Sequence, residues 1–287
     1  RLSAFASALA VQSASVAQPA PQVSYPEGDT HRDNGDYPEA VAAYLAAIAQ
    51  HPGTALAVYA EGEIGDIAEL IADGVASFAD LDAIAQGFPA WSSLSAQGKY
   101  AVLSFYAVGC ERAIEVGAPE ALARMAPSAL QCIEAFAVEH PTDPFQVSTL
   151  GYYLEIARAQ GPETLATCAA RLNEIANYGA APMVRFCAHA ILADHAAREH
   201  RSKAGAVLHR ASLLDELPGL ELETIYQSSE VYYWVKGWLG YYIGVAHSEL
   251  GQYTQAQAAL ERVLEYSVEG RHTRHMVEYE LALLDQR

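Results

Sequence analysis

The residues that could carry chemistry fall into a few groups, and the densest is aromatic: Tyr226, Tyr232, Tyr233, Trp234, Trp238, Tyr241, Tyr242 and then Tyr253. Trp234, Trp238 and Tyr241 recur at helical spacing, which makes a stripe of large rings with polar tips. Such a stripe packs between helices, while rings on the opposite side of the same segment can act as stacking anchors for a peptide or a sugar. The partner-binding candidates are therefore Tyr226, Tyr232, Tyr233, Trp234, Trp238 and Tyr241. Gly237, Gly240 and Gly244 on the same segment would let another helix come close.

The histidines and cysteines point away from metal or thiol chemistry. His189, His195, His200 and His209 gather along one predicted helical hairpin, and His195 with Glu199 has i,i+4 spacing. A metal centre needs three or four converging ligands, whereas these alternate faces, so no metal ligand is assigned. Cys110, Cys132, Cys168 and Cys187 are isolated, without a CxxC. They suit buried thiols on helix faces, although export would also permit disulfides, and no pairing is assigned.

His31-Arg32-Asp33-Asn34 has residue types found in a kinase catalytic loop, but no glycine-rich strand, β3 lysine or Asp-Phe-Gly accompanies it. His272-Thr273-Arg274-His275, next to Arg271, opens the last predicted helix. It reads as the polar outer face of a terminal helix, or as a contact for an anion or partner. No nucleophile elbow and no phosphate-binding glycine loop occur, and carboxylate pairs in so acidic a chain single out no acid and base. No catalytic residue and no cofactor is expected.

The elements that would position these residues are helices. Alanine dominates the composition, Leu and Glu follow, and Val, Ile and Thr are too scattered for evenly spaced strands. The fold class is all-α, and a chain of 287 residues calls for two domains or an elongated array. The net charge of −18 repels phosphate backbones and anionic headgroups, so nucleic acid and membrane surfaces are not expected partners.

Two segments repeat one pattern. Gly35-Asp36-Tyr37-Pro38-Glu39-Ala40-Val41-Ala42-Ala43-Tyr44-Leu45 is closed by His51-Pro52-Gly53, and Gly251-Gln252-Tyr253-Thr254-Gln255-Ala256-Gln257-Ala258-Ala259-Leu260 runs on to Val263-Leu264. A glycine ends the preceding helix, a tyrosine covers the turn, and Ala40 or Ala256 is small where two helices approach. Both segments resemble the second helix of a tetratricopeptide repeat. Gly244 and Ala246 occupy that family's small first-helix positions, while His247 replaces its usual aromatic and Val268 its proline. Pro21, Pro26 and Gly28 deprive the first repeat of a regular first helix.

Similar turns recur at Asp73-Gly74, Gly117-Ala118-Pro119, Gly161-Pro162 and near Glu199 to Ser202, with closures at His140-Pro141 and Ala180-Ala181-Pro182. Their spacing of roughly 39 to 51 residues exceeds the family's period of about 34. The resemblance implies a right-handed αα-hairpin solenoid of about six helix pairs over residues 25–287, without separable domains.

Residues 1–24 read as an Ala/Ser/Pro-rich arm or the remnant of an export signal, with a small-x-small site at Ser15-Val16-Ala17. The expectation is an ordered arm bearing Leu2, Phe5, Leu9, Val11 and Val16, and an extracytoplasmic address, periplasmic or secreted. What the resemblance implies is a non-catalytic scaffold presenting a groove to a protein segment. A self-assembling subunit, whose arm docks on the next copy in a ring or fibre, is the alternative. A helical-toroid enzyme acting on glycans is a weaker one.

Overall fold

The computed structural model describes residues 24–198, 202–228, 233–266 and 272–286. Among these every regular element is a helix. In chain order they are α1 (Pro26–Asn34), α2 (Tyr37–Gln50), α3 (Ala55–Ala72), α4 (Phe78–Gly87), α5 (Ala96–Val116), α6 (Pro119–Glu139) and α7 (Gln146–Gln160). There follow α8 (Pro162–Tyr178), α9 (Pro182–Arg198), α10 (Lys203–Asp215), α11 (Leu222–Gln227), α12 (Tyr233–Glu249), α13 (Tyr253–Tyr266) and α14 (His272–Leu284). Short 3-10 turns stand at Trp91–Ser93 and Leu217–Gly219. Among the described residues no helix is long and apolar enough to cross a membrane.

Local chemistry sets the boundaries. Thr54, Ser95 and Ser202 each accept a hydrogen bond from the backbone N–H three residues on, at 3.3, 3.1 and 3.0 Å, and so cap α3, α5 and α10. Ser77 and Asp80 form a reciprocal capping box at the head of α4. Pro119, Pro162 and Pro182 open α6, α8 and α9, where a missing N–H costs nothing. Gly35, Gly117 and Gly251 close helices at φ values of 82°, 69° and 77°, a region that a side chain would strain.

The chain divides into two compact units. One holds the described residues as far as Phe136 together with Glu155–Gly161. The other holds Ala137–Leu154 and the described residues from Pro162 onward. In the first, α1 packs on α2, α2 on α3 and α3 on α5; in the second, α8, α9, α10, α12, α13 and α14 pack in succession. This neighbour-on-neighbour pairing fits a helical-repeat array. Each core is a mixture of alanines and large rings, with Tyr44, Tyr100 and Phe105 in the first unit and Tyr153, Phe186 and Tyr242 in the second fully buried. Each such ring contributes roughly 2–3 kcal/mol by leaving water.

The first repeat corrects one expectation. Pro26 and Gly28 do not break the first helix, because α1 starts at Pro26 itself, where proline is tolerated. Gly28 is required by closeness: a Cβ there would fall 2.4 Å from Tyr44 Cε1. At the next residue, the Asp29 carboxylate accepts the Tyr44 hydroxyl at 2.8 Å, the Tyr59 hydroxyl at 2.7 Å and the Tyr25 N–H at 3.0 Å, which locks α1 onto α2 and α3. Burial and this carboxylate push the Tyr59 phenol up to about 12, so the network keeps its protons at any physiological pH.

Candidate partner-binding surface

The aromatic candidates sit around the hairpin of α12 and α13. Close approach of these two helices depends on small residues: a Cβ on Gly240 would lie 2.5 Å from Val263 Cγ2, and one on Gly244 would lie 2.5 Å from Leu260 Cγ. Ala256, opposite them, is fully buried. Val277 of α14 closes the hairpin by joining Leu260 and Val263, with Tyr241, Leu264, Leu281 and Leu284 packed around them.

Within that frame the rings are used for packing. Tyr226 is 5% exposed and Trp238 is 4% exposed. The Trp238 ring meets Tyr241 edge-on at 5.7 Å between centroids and leans on Tyr242 at the same separation. The Arg262 guanidinium lies 4.1 Å over the Tyr226 ring while it grips Glu223 through two hydrogen bonds of 2.6 and 2.8 Å. The Lys236 ammonium is buried and donates to the Tyr226 and Ser228 carbonyls at 2.9 and 2.6 Å, which satisfies the end of α11. Tyr233 and Trp234 begin α12, but their side chains lie outside the described residues, as does all of Tyr232. The arm candidates Leu2, Phe5, Leu9, Val11 and Val16 also lie outside them.

The other residues that could do chemistry are dispersed. His189 and His209 are brought together by α9 and α10, with Nδ1 atoms 3.1 Å apart. His195 is buried on α9. Among the described residues no group of three or more His, Cys, Asp or Glu side chains is placed to hold a metal ion. Cys110, Cys168 and Cys187 are buried, and burial raises the Cys110 and Cys187 thiols far above their ordinary value. Arg32 of the His31-Arg32-Asp33-Asn34 run is engaged by Asp33 and Glu63 on the surface of α1.

An opening lined by exposed apolar side chains lies elsewhere in the second unit, where α6 and α8 end and α9 begins. A cavity of about 460 Å³ is lined by Ala137 and Val138 of α6, Ile175 and Tyr178 of α8 and Val184 of α9, with Arg171 and Glu174 as its charged part. Tyr178 is 86% exposed and Val138 61% exposed, beside a floor of buried Ile175 and Val184. The walls are braced. Val184 N–H donates to the Pro141 carbonyl at 3.1 Å, and Gln146 Nε2 donates to the His140 carbonyl at 2.8 Å. Arg185 donates to the Gly179 carbonyl at 2.8 Å and makes two further bonds to Glu216 at 2.8 and 2.6 Å. Gly179 itself admits no side chain, since a Cβ would fall 2.5 Å from the Ile175 carbonyl oxygen.

Sequence reading missed this place. Its signal is slight: Tyr178 stands just before Gly179 at a helix end, and its exposure is set by which face of α8 the neighbouring helices cover.

Residues 239–267, the body of the α12–α13 hairpin, match the tetratricopeptide repeat. The match and the sequential helix pairing together fit a tetratricopeptide-like helical-repeat family. No curated protein and no solved structure matches the chain. Tetratricopeptide-like repeats generally mediate protein–protein interactions and are generally non-catalytic.

Proposed function

We propose that this protein is a non-catalytic scaffold that holds a segment of another protein. The observation that carries the reading is the α12–α13 hairpin, in which the matched residues and the close glycine contacts of a tetratricopeptide repeat coincide. Tyr226 of α11 and Trp238 of α12 are committed to packing, so the binding surface lies on exposed faces. The partner class is protein, because a net charge of −18 disfavours nucleic acid and anionic membrane. An extracytoplasmic address accompanies this reading, on the strength of the signal-like composition around Ser15-Val16-Ala17.

The test is photo-crosslinking of the full chain in its native setting, followed by mass spectrometry of the adducts. A reproducible foreign protein crosslinked to the repeat surface is the expected result. Adducts between copies of this chain alone would replace the scaffold by a self-assembling subunit.

A further inference from the structure

We infer that the cavity between Val138 and Tyr178 takes a large apolar side chain from a partner segment that carries Lys or Arg beside it. The inference rests on the scaffold reading above and adds the chemistry of the partner. Two of the most exposed large apolar side chains, Tyr178 and Val138, line one cavity of about 460 Å³ with a buried aliphatic floor. That is the form of a pocket for a single anchor residue. The Val184 N–H bond to Pro141 and the Arg185 bond to the Gly179 carbonyl hold two lining segments in place before anything binds, which lowers the cost of binding.

Electrostatics set the neighbours of that anchor. Two helix C-termini reach the cavity, those of α6 at Glu139 and α8 at Tyr178, against the single N-terminus of α9 at Pro182. Each end carries roughly half a charge, negative at a C-terminus and positive at an N-terminus, so the balance is negative. Within the lining Arg171 and Glu174 pair at 2.6 Å and cancel, so the helix ends set the sign. Arg185, the other cation nearby, is neutralised by its two bonds to Glu216. A second copy of this chain is a poor occupant, because each copy carries −18. A cationic, apolar segment is attracted both at long range and at the pocket.

The experiment uses the intact chain and two fluorescein-labelled peptides of about twelve residues, one alternating Lys with Leu and one alternating Glu with Leu, read by fluorescence anisotropy. The Lys/Leu peptide should bind saturably, the Glu/Leu peptide should not, and affinity should fall at least about tenfold from about 0.05 to about 0.5 M NaCl. Val138→Arg and Tyr178→Ala, both at exposed positions, should each weaken binding at least about fivefold without changing helicity or melting temperature. Equal binding of both peptides, or binding that neither substitution weakens, overturns the pocket assignment and leaves the scaffold reading to the crosslinking result. So does absence of binding by either peptide. Failure of the scaffold reading itself would appear separately, as crosslinks that never leave the chain.

Discussion

His189 on α9 and His209 on α10 share one hydrogen bond, Nδ1 to Nδ1, at 3.1 Å. The bond needs one lone pair, so the two nitrogens cannot both be protonated. Around the pair stand Arg185 and Arg210, offset by Glu216, Asp194 and Glu249.

Burial, then the His209 ring, lowers the His189 pKa to about 4, and burial lowers that of His209 as well. A histidine whose folded-state pKa is depressed favours the fold only while neutral. Its contribution is complete above about pH 6.5 and is lost as the pH falls toward about 4. The ceiling for His189 is about 3 kcal/mol. Urea unfolding at pH 7 and pH 4.5 should show the loss, and His189→Gln should at least halve it. An equal loss in the variant would place the acid sensitivity elsewhere.

Glu111 on α5 works in the opposite sense. Burial, with Glu115, Glu69 and Glu155 nearby, raises its carboxyl to about 8. The protonated form belongs to the fold, so its penalty is absent below about pH 4.5 and grows as the pH rises toward about 8. Glu111→Gln should leave stability at pH 4.5 nearly unchanged and raise it by a few kcal/mol at pH 8. A gain that is the same at both pH values would show that ionisation is not its source.

Glycines in helices divide by what faces them. Gly244 is opposed by Leu260, with 2.5 Å to a prospective Cβ, whereas Gly62 on α3 has nothing within 4 Å. Gly244→Ala should destabilise the protein by about 1–3 kcal/mol through overpacking. Gly62→Ala should stabilise it by about 0.5–1 kcal/mol, because alanine is the better helix former. Thermal melts of the two variants check both signs, and the same sign for both would contradict the packing of α12 on α13.

Glu221, which precedes α11, has φ 47° and ψ 44°, and its side chain makes no capping hydrogen bond to that helix. An L-residue in this region costs about 1–2 kcal/mol. Glu221→Gly should therefore raise stability by about 1 kcal/mol, and a decrease in the urea midpoint would refute the strain.

Much of the helical pattern was legible in the sequence, since it rests on interactions between near neighbours. Pro119, Pro162 and Gly117 fall at helix boundaries because a missing N–H or a positive φ is acceptable only there. Ala256 and Gly244 were readable as contact positions for the same local reason: nothing larger fits between paired helices. The misreading of Pro26 and Gly28 arose from treating both as breakers, when one starts a helix and the other makes room for the Tyr44 ring.

What the sequence by itself determined is therefore the all-helical class, most of the boundaries and the tetratricopeptide-like hairpin, because caps, periodicity and small-residue spacing act over a few residues. Which ring is buried was decided by tertiary structure alone. Trp238 and Tyr178 are both large aromatics on helices, yet one is 4% exposed and the other 86%. The meeting of His189 with His209, twenty residues apart in sequence, and the pocket between Val138 and Tyr178 depend likewise on how separate helices cross. Side-chain burial is set by the neighbours that packing supplies, and no periodicity within one segment specifies those neighbours.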